Sequence, residues 1–161
     1  HTGDEAKPAQ HAAFRTHIAA ARQTGLPVVI HTRNADDDMI AILRDEHAKG
    51  AFPFLIHCFA SGPKLAEAAL ELGGYISFSG LLTFPKCEEI REVARMVPED
   101  RILVETDSPF LAPVPKRGKP NTPGYVAHTA ARLAEERGMS LDEIGRITSE
   151  NARRLFTRIA A

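Results

Sequence analysis

Cysteine is scarce, with only Cys58 and Cys87 in 161 residues. That excludes a disulfide framework and suits a reducing, cytoplasmic compartment. Neither sign of charge dominates: 20 Lys and Arg against 21 Asp and Glu leave a formal net charge of −1. So balanced a chain has no bulk basic footprint for coating a polyanion, although a few local cations can still grip phosphates. Long apolar runs are missing too. None nears the ~20 residues of a membrane span, so no membrane partner is expected. No signal peptide opens the chain, which starts on the loop-like His1-Thr2-Gly3-Asp4 with no initiator methionine. No sequence repeat and no domain boundary is evident, and the length suits one domain, 1–161, with a real core.

What the chain does have is alternation. Short apolar runs over residues 28–31, 54–58, 75–79 and 102–107 read as strands covered on both faces, the habit of a parallel sheet. Ala9, Ala13, Phe14, Ile18 and Ala21 recur at helical spacing before the first strand, with Gly25 as a left-handed cap and Pro27 as a stop. The Asn34–Asp38 cluster supplies a cap and negative charge for a helix reaching about Lys49. Further helices run from Ser61-Gly62-Pro63 to Gly73-Gly74 and over 88–96. Strand ends recur roughly every 25 residues, near the ~30 per unit of a β/α barrel. A loop over 108–122, bearing proline, lysine and arginine, then breaks the rhythm. Pro123, capped by Thr122, opens a helix to about Arg137, and Ser140-Leu141-Asp142-Glu143 has capping-box form. A last short helix is expected over 151–156. The expected fold class is α/β, with a parallel sheet wound as a barrel.

Three strands end in chemistry-bearing residues: His31, His57 and Asp107. In parallel sheets the carboxyl ends of the strands are where ligands and catalytic groups gather. Strand alternation puts Val29 with His31, Leu55 with His57, Tyr75 with Ser77 and Ser79, and Leu103 with Glu105 and Asp107 on one face. The opposite face is almost wholly apolar and suits helix packing. Two imidazoles and a carboxylate at one rim make a metal-ligand set. Glu105, about two residues (~7 Å) deeper, reads as a supporting carboxylate behind the ligands. Taken singly, each histidine also reads as a hydrogen-bonded core residue, and Asp107 as a cap before Ser108-Pro109.

Ile30-His31-Thr32-Arg33, His57-Cys58-Phe59, Ser77-Phe78-Ser79-Gly80, Val104-Glu105-Thr106-Asp107-Ser108-Pro109, Arg117-Gly118-Lys119-Pro120-Asn121 and Asn151-Ala152-Arg153-Arg154-Leu155-Phe156 together resemble the TatD family of metal-dependent deoxyribonucleases. They stand in the family's order and spacing from about Gln10 to Phe156. The resemblance implies an amidohydrolase-like barrel of TIM type. It also implies one or two divalent metal ions, with Mg²⁺ first and Zn²⁺ or Mn²⁺ as alternatives. The implied reaction is hydrolysis of DNA phosphodiesters, often from the 3′ end. In that pattern His31 is the ligand on the fifth strand, His57 on the sixth and Asp107 on the eighth. The family's opening histidine pair and a later metal-binding glutamate have no counterpart here. The chain therefore resembles the second half of the barrel, four strands with helices, and the missing first half becomes an expected partner beside DNA. His1 would follow directly on the absent glutamate strand.

A two-metal phosphodiesterase needs imidazole and carboxylate ligands around open positions, where the ions activate water and neutralise developing charge. Asp107 suits both metal binding and accepting a proton. Arg33, Lys116, Arg117 and Lys119 follow strands that end in ligands, and they suit phosphate binding as readily as a solvated loop. Asn121 suits either a phosphate oxygen or a turn cap. Cys58, next to His57, is expected to point to the helix side and to pack. Asp36, Asp37 and Asp38 are better explained by a helix N-terminus than by metal, and His11, His17, His47 and His128 by helix surfaces. Two other functions fit the same scaffold: an amidohydrolase-like enzyme acting on a small amide, lactone or nucleobase, and a non-catalytic half-barrel that binds or assembles. An open half-barrel would expose Val29, Leu55 and Leu103 and drive association. The oligomeric state is not legible.

Overall fold

The computed structural model describes residues 4–159, so His1 lies outside the described residues. Four parallel strands lie in sequence order: β1 (Val28–Ile30), β2 (Phe54–Ile56), β3 (Tyr75–Phe78) and β4 (Ile102–Val104). Helices α1 (Lys7–Thr24), α2 (Asp36–Ala48), α3 (Pro63–Glu71), α4 (Glu88–Met96), α5 (Val126–Arg137) and α6 (Leu141–Leu155) precede, connect and follow them. The register puts Ile30 beside Ile56, Ile56 beside Ile76, and Ile76 beside Ile102. That row of isoleucines crosses the sheet on the helix side. There Ile18, Leu43, Leu65, Val93, Leu133 and Ile144 bury it in one continuous core. The apolar strand runs and helical stripes of the sequence thus meet as expected. No helix among the described residues is long and apolar enough to cross a membrane.

Local signals held where a side chain had one clear task. Gly25 takes a left-handed conformation (φ 67°) and its N–H bonds the Ala21 carbonyl at 2.8 Å. Ser140 and Glu143 form both halves of a capping box. They failed where the neighbourhood decided. Asp36, Asp37 and Asp38 fill the first turn of α2, but its N-cap is Ala35, with no side-chain bond. Thr122 makes no cap bond either; a 3₁₀ turn, Pro123–Tyr125, comes before α5. The separate helix expected over 151–156 is the end of α6. Asn151, buried within that helix, donates to the carbonyls of Glu99 (2.7 Å) and Ile102 (2.9 Å), tying α6 to β4.

The expected exposure of the inner sheet face is corrected in part. Val29 is 57% exposed, but Leu55 and Leu103 are buried with Tyr75 and Leu155 in a second cluster. Ala152 and Phe156 pack on it, so the end of α6 covers the deep inner face.

Glu46 fastens α1 to α2. It is buried, and its carboxylate takes Lys49 Nζ at 2.7 Å, Arg15 at 2.6 Å and Arg22 at 3.2 Å. Those bonds, first from Lys49 and then Arg15, hold its pKa at about 2, from an ordinary 4.5, against the opposing effect of burial. A carboxylate depressed by folding stabilises the native state fully above its unfolded pKa and loses that contribution as pH falls towards the folded value. Thermal melts should therefore show stability declining from about pH 4.5 towards about pH 2. Glu46→Gln should cost about 1–2 kcal/mol at neutral pH, the partners being partly exposed, and flatten that decline. A variant melting like the parent at both ends of the range would show that the cluster contributes nothing.

Candidate metal centre

The sheet ladder outlasts the strands and carries the site. The His57 N–H bonds the Ile30 carbonyl (2.8 Å), the Phe59 N–H that of Ser77 (2.9 Å), and the Glu105 N–H that of Phe78 (2.9 Å). His57 and Glu105 are thus aligned by backbone bonds although β2 ends at Ile56 and β4 at Val104. The strand expected to reach Asp107 does not. Asp107 has left the ladder and sits at φ 57°, a left-handed conformation that aspartate tolerates better than most residues. Strand alternation cannot place it; the turn does.

The turn nevertheless brings it to His57. The ring lies between two carboxylates, with Nδ1 2.6 Å from Glu105 Oε1 and Nε2 3.7 Å from Asp107 Oδ1. Glu105 Oε2 accepts the Cys58 N–H at 3.1 Å. Oε1 is buried and no well-directed hydrogen bond reaches it, which leaves the close ring contact as its compensation. Ligand-type atoms of His57, Glu105 and Asp107 all lie within 4.8 Å of one another. His31 stands alongside, exposed, its ring centroid 5.8 Å from that of His57.

Electrostatics follow from this line. The Glu105 contact holds the His57 pKa above the usual histidine value, against burial. For Glu105 itself burial is the largest influence and acts upward. Bonds from His57, Ser77 and the Cys58 N–H together outweigh it, and the carboxyl stays below its usual range. An imidazole that gives one nitrogen to a carboxylate has its other nitrogen oriented and made more basic, the common arrangement behind a metal-bound histidine. The donors are hard oxygen and imidazole nitrogen, which suits Mg²⁺, Mn²⁺ or Zn²⁺ better than a soft-thiolate metal.

Cys58 is not on the helix side as strand alternation predicts. Its backbone is left-handed (φ 47°), and its Sγ lies 3.2 Å from Ser79 Oγ. Burial pushes the thiol up to about 11, so it is an inert packing group at neutral pH, as expected.

The 108–122 loop is built against the mouth. Asn121 is buried; its amide donates to the carbonyls of Thr106 (2.8 Å) and Phe110 (2.7 Å), and its Oδ1 accepts the Thr122 N–H. Its polar atoms are engaged in holding the loop, the turn-capping alternative of the sequence. Arg33 and Arg117 are exposed, and the Arg117 guanidinium lies 4.2 Å over the Phe84 ring. Lys116 Nζ is 5.6 Å from the Tyr125 ring centre. No motif points to Arg91, whose buried guanidinium bonds the carbonyls of Leu82, Phe84 and Pro85 and so fixes the bed under Arg117. An internal guanidinium serving carbonyls has no local sequence signal.

A cleft of about 640 Å³ opens between the starts of α2 and α3, and none of His31, His57, Glu105 and Asp107 lines it. Its three aspartates are engaged by neighbours: Asp37 with Lys64 at 2.6 Å, Asp36 with Ser61, Asp38 with Lys7 and His11. That supports the helix-terminus reading of Asp36–Asp38 over a metal one.

A parallel α/β sheet whose strand ends gather imidazole and carboxylate defines a class of barrel-derived metal site. Within that class, this chain belongs to the TatD family: the family described as TatD related DNase matches residues 1–157. It is 46% identical over 152 residues to Escherichia coli YcfH, covering 94% of this chain and 57% of that protein. It is 42% identical over 156 residues to Bacillus subtilis YabD, covering 97% and 61%. Both carry the description uncharacterized metal-dependent hydrolase. Among solved structures, E. coli YjjV, a TatD homologue, superposes with a TM-score of 0.87 at 28% identity over 98% of this chain and 61% of that one. A TatD family hydrolase from Entamoeba histolytica shares the fold at a TM-score of 0.78 and 20% identity, over 95% and 58%. The chain thus spans about 60% of the length of these relatives. The expected restriction to a second half is not supported, because the family match starts at residue 1.

Glu105→Gln should weaken divalent-metal binding, read by isothermal titration calorimetry, by about 10–100-fold. Unchanged affinity would mean that His57 needs no carboxylate behind it.

Proposed function

We propose that the protein is a metal-dependent hydrolase of DNA phosphodiesters, working from the 3′ end. The observation that carries this reading is the Glu105–His57–Asp107 line lying at the strand ends, where the cationic 108–122 loop also begins. His31, His57 and Asp107 are the proposed ligands, with Glu105 behind His57. Because the chain spans about 60% of its relatives, the remaining ligands are proposed to come from sequence outside it. Bound divalent ions, one or two, supply Lewis-acid activation of water and neutralise charge on the phosphoryl group.

The chain's own residues do the rest. Glu105 keeps the His57 ring turned so that Nε2 faces Asp107. The Asp107 carboxylate can accept a proton from the attacking water. Arg33 and Arg117 offer planar forks to phosphate oxygens, Arg117 from its bed on Phe84. Asn121 acts through the loop it holds. The cations favour a phosphate over a neutral amide or lactone ring. The covering of Leu55 and Leu103 removes much of the apolar surface that a half-barrel assembly module would use.

The test is degradation of single- and double-stranded DNA with and without Mg²⁺. Asp107→Asn should lower the rate by at least about 100-fold, the usual scale for losing a positioned base. An Asp107→Asn protein as active as the parent rejects the assigned role.

A further inference from the structure

We propose that Cys58 is a positioning residue for the metal centre: its left-handed backbone turns its N–H out of the sheet ladder and onto Glu105, which in turn holds the His57 ring. This inference rests on the metal-site reading and adds to it the backbone group that aims the carboxylate.

In an unbroken parallel strand, successive N–H groups serve the two neighbouring strands by turns. The His57 N–H follows that rule and bonds the Ile30 carbonyl on the β1 side (2.8 Å). The next N–H would then serve β3, but the Ser77 carbonyl there takes the Phe59 N–H instead (2.9 Å). Cys58 is thus one residue too many for the ladder, and its N–H goes to Glu105 Oε2 at 3.1 Å. A φ of 47° lets the chain make that step. Such a break re-aims a donor while the pairing resumes beyond it, the use made of bulges beside functional sites.

Cysteine adopts this conformation only against a steric cost. A strained backbone persists where its surroundings hold it, and here they do so from two sides. Sγ lies 3.2 Å from Ser79 Oγ, itself buried, and the N–H has its carboxylate. A packing role accounts for the buried thiol but not for the φ. With Oε2 on the Cys58 N–H and Oε1 2.6 Å from His57 Nδ1, both oxygens of Glu105 are engaged. A carboxylate fixed in this way keeps a ligating histidine in one tautomer and one orientation.

The two roles order the same substitutions oppositely. Glycine accepts a positive φ freely, whereas a β-branched side chain there is a severe outlier. A packing role makes Cys58→Gly the damaging change, through the hole it leaves, and Cys58→Val the mild one. The positioning role reverses that order. In isothermal titration calorimetry with Mg²⁺ or Mn²⁺, Cys58→Gly should bind as the parent does, and Cys58→Val about 10–100-fold more weakly. Cys58→Asn, tolerant of the same φ, and Cys58→Thr, β-branched, repeat the comparison should either variant fail to fold. NMR of the ring nitrogens in the metal-free proteins, at alkaline pH, should find His57 in the Nδ1–H tautomer in the parent and in Cys58→Gly. In Cys58→Val it should find a mixture of tautomers. In a Glu105→Ala background, Cys58→Val should cost no further affinity. Parent-like binding and tautomer in the β-branched variants, a loss in Cys58→Gly, or an equal loss with Glu105 removed overturns the positioning role and leaves the metal site standing. A parent that binds no divalent ion removes the metal site, and the role with it.

Discussion

The contact between Glu105 and His57 is the constraint on which the candidate site depends. A carboxylate buried at a strand end is costly unless something compensates it, and here a ring nitrogen and a backbone N–H do so together. The same bonds decide which way the imidazole faces. Because His57 and Glu105 both hang on the sheet ladder, their pairing inherits the precision of the β-sheet rather than that of a loop. Only Asp107 depends on a turn, and the turn is braced by Asn121.

The site thus has two parts of different origin. One is fixed by the parallel sheet and its row of isoleucines, which is a matter of packing. The other is a long loop made rigid by a few polar anchors: Asn121, the Thr83 hydroxyl and the close approach at Gly80. Arg91 acts at one remove, ordering the turn that carries Phe84 and hence the stacked Arg117. The loop that carries the cations leaves the sheet through the same turn that brings Asp107 to His57.

Much of this was legible in the letters. Apolar runs of four or five residues, separated by helical stripes, are enough to imply a parallel α/β sheet, and their last residues name His31, His57 and Asp107. Legibility stopped where the backbone left regular geometry. At Cys58 and Asp107 positive φ angles break the two-residue alternation, so the cysteine faces Ser79 instead of a helix. Burial of Leu55 and Leu103 by α6 was equally hidden, because it depends on where a helix distant in sequence ends. Asn121 and Asn151 illustrate the general difficulty. Each is a side-chain amide satisfying carbonyls elsewhere in the chain; a turn-capping role is one of two readings open for Asn121, but the carbonyls that either amide serves have no local signal.

The left-handed backbone at Asp107 carries a chemical consequence. A short acid can adopt that conformation and still reach back over its own main chain, whereas the longer arm of glutamate would gain reach and lose the backbone's tolerance. Selection between the two acids at this rim is thus made by stereochemistry before any ion arrives. The carboxylate with the longer stem stands at Glu105 instead, where the backbone N–H stays on the sheet ladder with β3 and length is useful for reaching across that strand to the imidazole that follows β2.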